Sequence, residues 1–265
     1  MIPLFRELEI ETVGGCTRRC PTCVRTTYPD RARLAGRFEE SGPCLPTQVV
    51  KRVIDEAIGL GFHGTISMQY LNEPLKDVDR IEEFARYAKT RGRFEMVRIF
   101  SNGDLLDAST AAGLDGALDQ IEIALYAPGP GGRPRIEGRG EREREIRSWF
   151  KETRVVFTGG AHWTAHYSPI SDLASSIAYN RTLPCILDVQ EALGISYTGD
   201  MVLCCEDIGA EFDLGNVNDT PLQELWYGKK HQEIVDTLSR AGGRENYPYC
   251  RICPRSGNRR RSVQG

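Results

Sequence analysis

No run of about eighteen apolar residues occurs in the 265-residue sequence, so no segment is built to span a membrane as a helix. No apolar secretory stretch precedes its cysteines, and their number, nine, is odd, which speaks against a disulfide framework. Cysteine-rich and without an export signal, the chain is expected in a reducing cytoplasm. Excess charge is also missing. Thirty-four Lys and Arg against 37 Asp and Glu leave a net charge of −3, and a pI near 5.9 argues against a nucleic-acid partner. The basic cluster Arg259, Arg260 and Arg261 reads as a solvated C-terminal tail. No glycine fingerprint for a flavin or nicotinamide cofactor is present, so redox chemistry would need another carrier.

What is present begins with Cys16, Cys20 and Cys23, a Cys-x-x-x-Cys-x-x-Cys run directly after a strand-like stretch. Three thiolates on one loop can hold three irons of a 4Fe–4S cube and leave the fourth open to a substrate or cosubstrate. Gly14 and Gly15 let the chain turn off the strand. A zinc site usually takes two separated pairs of ligands rather than three cysteines in a short loop, though spacing alone does not exclude zinc. The spacing resembles that of the radical S-adenosylmethionine (SAM) superfamily. The resemblance implies that SAM chelates the open iron and is cleaved to a 5′-deoxyadenosyl radical. An aromatic residue usually precedes the third cysteine in that family and packs near the adenine; here it is Thr22.

Strand and helix signals alternate along the first part of the chain. Residues 5–13 read as a strand, 46–61 as a helix, 65–70 as a strand and 78–91 as a helix. Residues 96–100 and 121–127 read as further strands, with a short helix over 104–116 between them. A Gly-, Pro- and Arg-rich loop over 128–140 leads to an amphipathic helix over 141–152, with Ile146, Trp149 and Phe150 on one side, and 155–158 closes the series. Repeated βα units imply a parallel sheet with helices outside, and they are too few for a closed eight-fold barrel. The fold class is therefore α/β: a partial (β/α)6 barrel over 1–168, as the superfamily resemblance also implies. A small C-terminal unit over 169–255 and the tail over 256–265 follow it.

Sites in parallel α/β sheets form at the C-terminal strand ends. The cysteine loop, Asn72-Glu73-Pro74 and Ser101-Asn102-Gly103 all follow predicted strands and are expected at one mouth. By resemblance, Asn72, Glu73 and Pro74 occupy the place of a Gly-Gly-Glu motif whose carboxylate or carbonyls receive the SAM ammonium, and Ser101 and Asn102 the place of ribose contacts. Each is also an ordinary turn or cap pattern.

Cys185, Cys204, Cys250 and Cys253 form a second constellation. A hairpin of 195–198 with 201–203 carries Cys204, a helix with a capping-box pattern starts at Thr220-Pro221, and Cys250-Arg-Ile-Cys253 is a metal-type pair. The layout resembles the twitch domain, the short form of the SPASM extension, and the resemblance implies an auxiliary 4Fe–4S cluster on these four cysteines. The same four thiolates would also suit zinc. Cys44 reads as an ordinary packed small residue. Cys205, taken as a strand residue, is expected to point away from Cys204, towards the substrate cavity or into packing.

The segment from Gly199 to Asp207, the Leu214-Gly215-Asn216 turn and Trp226 resemble the small twitch-bearing dehydrogenases that oxidise an aminocyclitol alcohol to a ketone. For such enzymes the auxiliary cluster is the electron acceptor. Two residues differ. Ser168 stands where those enzymes have an arginine base, with His162, His166 and Tyr167 nearby as possible bases. Cys205 stands where they have an aromatic residue, and a thiol there would suit hydrogen-atom return and hence epimerisation. A sugar, nucleoside or aminocyclitol substrate in natural-product (antibiotic) biosynthesis and a flavodoxin- or ferredoxin-type electron donor are implied. A peptide-modifying enzyme is a further alternative, though such enzymes usually need a leader-recognition domain and only about ten residues precede the end of the first strand. A non-enzymatic zinc module is another. The 126–132 loop, the 160–180 segment and residues 205–207 are expected to wall the pocket, with Glu206 and Asp207 either binding substrate or capping the hairpin.

Overall fold

The computed structural model describes residues 2–18, 44–125, 127–128, 134–135, 139–158, 184–185, 189, 191–205 and 207–251. Cys20, Cys23, Cys253, Thr22, Tyr126, Glu206, His162, His166, Tyr167 and Ser168 lie outside the described residues, as does most of the 128–140 loop.

Strand β1 (Glu7–Ile10) is followed by α1 (Thr47–Gly59), β2 (Thr65–Ser67), α2 (Val78–Arg91), β3 (Met96–Ser101), α3 (Ala108–Leu114) and β4 (Gln120–Ile123). The short pair β5 (Ala127–Pro128) and β6 (Pro134–Arg135) precedes α4 (Arg139–Trp149) and β7 (Arg154–Phe157). Then come β8 (Ala192–Ile195), β9 (Met201–Val202), α5 (Leu222–Trp226), α6 (Lys229–Leu238) and α7 (Pro248–Arg251). The main sheet has the order β7-β4-β3-β2-β1-β8-β9, parallel throughout except for the β8–β9 pair. β8 thus adds directly to β1, with Leu8 opposite Leu193 and Ile10 opposite Ile195.

The sequence explains which face is covered. Leu8 and Ile10 on β1, Ile66 on β2 and Val97 and Ile99 on β3 are buried in one cluster with Val50, Val53, Ile54 and Ala57 of α1 and Ile81, Phe84, Ala85 and Ala88 of α2. Those helical positions recur at three- and four-residue steps, the spacing that puts them on one stripe. The alternate residues Glu7 and Glu9 on β1, and Arg98 on β3, lie on the face left open and are only partly buried. There the Ser67 hydroxyl donates to Glu7 at 2.6 Å, and Arg98 bonds both Ser67 and Glu7. The open face is therefore polar, as a cavity wall is, while the helix-covered face is the core.

Element order follows the sequence reading, but several bounds differ. The helix read over 104–116 covers only Ala108–Leu114, and the strand read over 121–127 is Gln120–Ile123. The short pair β5–β6 falls in and beside the stretch read as a loop, and the hairpin strand read at 195–198 lies at Ala192–Ile195. Strands β1 and β2 are shorter than the apolar runs that contain them, because the chain leaves the ladder to form the loops of the mouth. The helix at Thr220 does not use its own capping box. Pro221 occupies the cap, and the Leu222 N–H is taken at 2.7 Å by Glu56 Oε2 of α1. Cys44 also departs from its expected packing: it is exposed, in an isolated bridge with Val13.

A second apolar cluster joins Val189, Leu203, Phe212, Ile234, Val235, Leu238 and Cys250. Ile2 and Leu214 pack against both clusters, while Trp226 of α5 belongs to the first, its ring fully buried against Phe5 at 5.2 Å, edge to face, and its indole N–H donating to Pro3 O at 3.0 Å. Such an aromatic pair adds about 0.5–1.5 kcal/mol beyond the area it buries.

Candidate active site

The ends of β1, β2 and β3 meet as expected. After β1 the chain passes through Gly15 at φ 94°, a conformation that suits glycine, and reaches Cys16. Gly15 O accepts the Glu73 N–H at 2.9 Å. Thus the first cysteine and the 72–74 motif are held one peptide apart.

Glu73 is the hub. Its side chain is 2 % exposed and accepts three hydrogen bonds: Ser101 Oγ at 2.6 Å, Asn102 N at 2.8 Å and Leu75 N at 3.1 Å. Burial pushes this carboxyl above the ordinary glutamate range, against the pull of those donors. Both oxygens accept bonds from the protein, so of the two acceptors expected for the SAM ammonium, carboxylate or loop carbonyl, the carbonyls are the less committed. Pro74 starts the short 3₁₀ turn Pro74–Asp77 behind it. Asn72 accepts the Tyr70 N–H with Oδ1 at 3.1 Å, while its buried Nδ2 has no hydrogen-bond partner. An orphaned amide donor here is a place for an anionic group.

Ser101 and Asn102 are buried at the end of β3, and both are occupied in holding the mouth together. The Ser101 hydroxyl also accepts Gly103 N at 3.0 Å. Asn102 Nδ2 donates to Thr17 Oγ1 at 2.9 Å and lies 3.6 Å from Cys16 Sγ, and Asn102 Oδ1 accepts Asp104 N at 2.9 Å. Arg18, inside the cysteine motif, forks onto both oxygens of Asp104 at 2.6 and 2.5 Å and reaches Asn102 O at 3.1 Å. Sequence reasoning missed Arg18 and Asp104, which only the folded neighbourhood of two loops 84 to 86 residues apart reveals. It also missed Glu11, 1 % exposed, whose carboxylate takes Leu71 N and Tyr197 N at 3.2 Å each. The alternation Glu7-Leu8-Glu9-Ile10-Glu11 was the available signal.

The second cysteine set borders one apolar cluster: Cys250 is 9 % exposed inside it, and Cys185 and Cys204 pack against it. Cys185 N donates to Leu238 O at 2.7 Å. Among the described residues no group of three His, Cys, Asp or Glu side chains is gathered as a metal site. Three thiols at an apolar cluster fit a soft iron–sulfur group better than a hard cation.

Cys204 and Cys205 lie beyond β9, in a turn closed by Asp207 N on Cys204 O at 2.9 Å. The strand alternation expected to separate their side chains therefore does not apply. Cys205 is partly exposed and belongs to neither apolar cluster. Asp207 is fully buried and caps the turn, accepting Leu203 N at 2.9 Å and Glu211 N at 2.8 Å. Of its two expected roles, the cap is the one observed. Across the mouth, the Tyr70 hydroxyl meets Cys204 O at 3.0 Å and Asp207 O at 2.9 Å.

Comparison with known proteins shows the fold and a domain match. Residues 185–254 match SPASM, an iron-sulfur cluster-binding domain. The whole chain superposes on BtrN, solved in complex with AdoMet and 2-DOIA, with a TM-score of 0.74 and 18 % identity, covering 96 % of this chain and 95 % of that one. The chain has the fold of BtrN, and its C-terminal stretch matches the SPASM domain. A curated relative, the S-adenosyl-L-methionine-dependent 2-deoxy-scyllo-inosamine dehydrogenase of Niallia circulans, is 22 % identical over 255 residues, 96 % of this chain and 94 % of the relative. A second solved structure, native anSMEcpe with bound AdoMet, superposes with a TM-score of 0.56 and 13 % identity, covering 94 % of this chain and 88 % of that one. No helix among the described residues is long and apolar enough to cross a membrane.

Proposed function

We propose that the protein is a cytoplasmic radical SAM dehydrogenase that oxidises a carbinol of an aminocyclitol, sugar or nucleoside in natural-product biosynthesis. Cys16, Cys20 and Cys23 would hold the SAM-binding cluster, and Cys185, Cys204, Cys250 and Cys253 an auxiliary one. When bound, SAM and its cluster would supply a radical able to abstract the carbinol hydrogen atom, and the auxiliary cluster a one-electron acceptor, with the hydroxyl proton passing to a base of this chain to leave the ketone. A flavodoxin- or ferredoxin-type protein would deliver the electron that cleaves SAM. The observation that carries this reading is the meeting of Gly15–Cys16, the Glu73 loop and the Cys204–Asp207 turn at one end of the sheet.

The chain's own residues prepare the site. Glu73 fixes two loops of the mouth to each other, and the Asn72 amide offers a donor suited to the SAM carboxylate. Asn102 offers an N–H to the Cys16 sulfur, the kind of contact that tunes a cluster's potential. The open face of the sheet, with Glu7 and Glu9 beside Arg98, supplies polar contacts for hydroxyl and amino groups. The proton is assigned to His166 or His162.

The test is anaerobic reconstitution followed by incubation with SAM, dithionite and 2-deoxy-scyllo-inosamine. About eight irons per chain, 5′-deoxyadenosine and a ketone would support the proposal. About four irons, with zinc on the second set, would remove the electron acceptor and with it the dehydrogenase reading. The partly exposed Cys205 favours a second reading, epimerisation with its thiol as hydrogen donor.

A further inference from the structure

We propose that Tyr70 is a positioning residue that fixes the auxiliary-cluster turn over the SAM site and so couples hydrogen abstraction to electron removal; this rests on the two-cluster dehydrogenase reading. The turn from Cys204 to Asp207 is internally braced, since Asp207 closes it through its backbone N–H and caps Leu203 and Glu211 with its carboxylate. A braced turn moves as a unit, and the Tyr70 hydroxyl holds it by one hydrogen shared between two carbonyls, Cys204 O and Asp207 O. Tyr70 belongs to the loop that carries the 72–74 motif. That loop is tied to β1 by Leu71 N on Glu11 and to the first cysteine's loop by Glu73 N on Gly15 O. One short segment, 70–73, therefore touches the supports of both cysteine sets. Electron transfer from a substrate radical depends on where the acceptor stands relative to the site of abstraction. A hydroxyl that sets this placement acts on coupling, not on either cluster's ligands.

Tyr70→Phe keeps the ring and removes the grip, and Cys204 O retains the Asp207 N–H. In the reconstituted full chain, the variant should bind as much iron as wild type and keep each cluster's own EPR g-values. The spin–spin coupling between the two reduced clusters should broaden. With SAM, dithionite and 2-deoxy-scyllo-inosamine, 5′-deoxyadenosine per ketone should rise several-fold while the KM for SAM stays unchanged. Unchanged inter-cluster coupling and an unchanged product ratio would overturn the inference. A purely structural role would instead lower iron content or melting temperature and leave the ratio alone, which also overturns it. In the wild type, SAM should slow hydrogen exchange across residues 203–211, and equal exchange with and without SAM would count against the proposal whether or not the variant folds. A wild-type protein with only about four irons would overturn the proposed function itself, a distinguishable failure.

Discussion

The Glu73 carboxylate accepts the backbone N–H of Asn102 at 2.8 Å, which ties the loop after β2 to the loop after β3. Because Glu73 also takes Ser101 Oγ and Leu75 N, three donors depend on one buried side chain. Glu73→Gln would turn one acceptor oxygen into an NH2 group facing donors. It should cost about 1–3 kcal/mol of unfolding free energy, measured by urea denaturation, and weaken SAM binding in calorimetry. Unaltered stability would mean that the loops are held by something else.

Asn102 and Cys16 give a second prediction. An N–H aimed at a cluster sulfur stabilises the reduced, more negative state. Asn102→Val should therefore lower the reduction potential of the SAM-binding cluster in an EPR redox titration, leaving the auxiliary cluster's potential in place. A shift in both clusters, or in neither, would contradict this local role.

His231 makes stability depend on pH. Its ring is 2 % exposed, Nδ1 lies 2.7 Å from Trp226 O, and burial pushes its pKa below the ordinary 6.5. The unfolded chain binds a proton near pH 6.5 and the folded chain only at lower pH. Stability is therefore full above that value and falls as the pH is lowered through and below it. Thermal unfolding between about pH 7.5 and 5.5 should show this slope, and His231→Gln should flatten it while lowering the melting temperature at neutral pH.

Cys205 separates the two reaction outcomes. Under dehydrogenation Cys205→Ala should retain ketone formation, whereas under epimerisation it should form 5′-deoxyadenosine without product. Product analysis by mass spectrometry and NMR after reaction in deuterated water distinguishes them, because only a thiol-derived hydrogen would place deuterium on the reacting carbinol carbon.

Much of the barrel was legible because its signals are local. Ile81, Phe84, Ala85 and Ala88 repeat with helical period, and α2 spans Val78–Arg91, the range their spacing predicts. The motif loops were placed correctly at the mouth because sites in such sheets gather at strand ends. What the sequence could not show depends on partners far along the chain. That Glu73 also ties Ser101 and Asn102 together is visible only once the loops after β2 and β3 meet. Thr220 reads as a cap until Glu56, 166 residues away from Leu222, supplies the acceptor instead. Cys205 was misread because β9 ends at Val202, and two-residue strands give periodicity too little length to express itself.

The hairpin of β8 and β9 has a consequence for engineering. Since β8 pairs along the whole of β1, a chain cut before Ala192 would bare the edge of a strand that is central in the intact sheet. Its N–H and C=O groups would invite pairing with other molecules. Grafting a different C-terminal module onto this barrel would therefore have to carry over β8 with its register, or yield aggregates instead of a chimera.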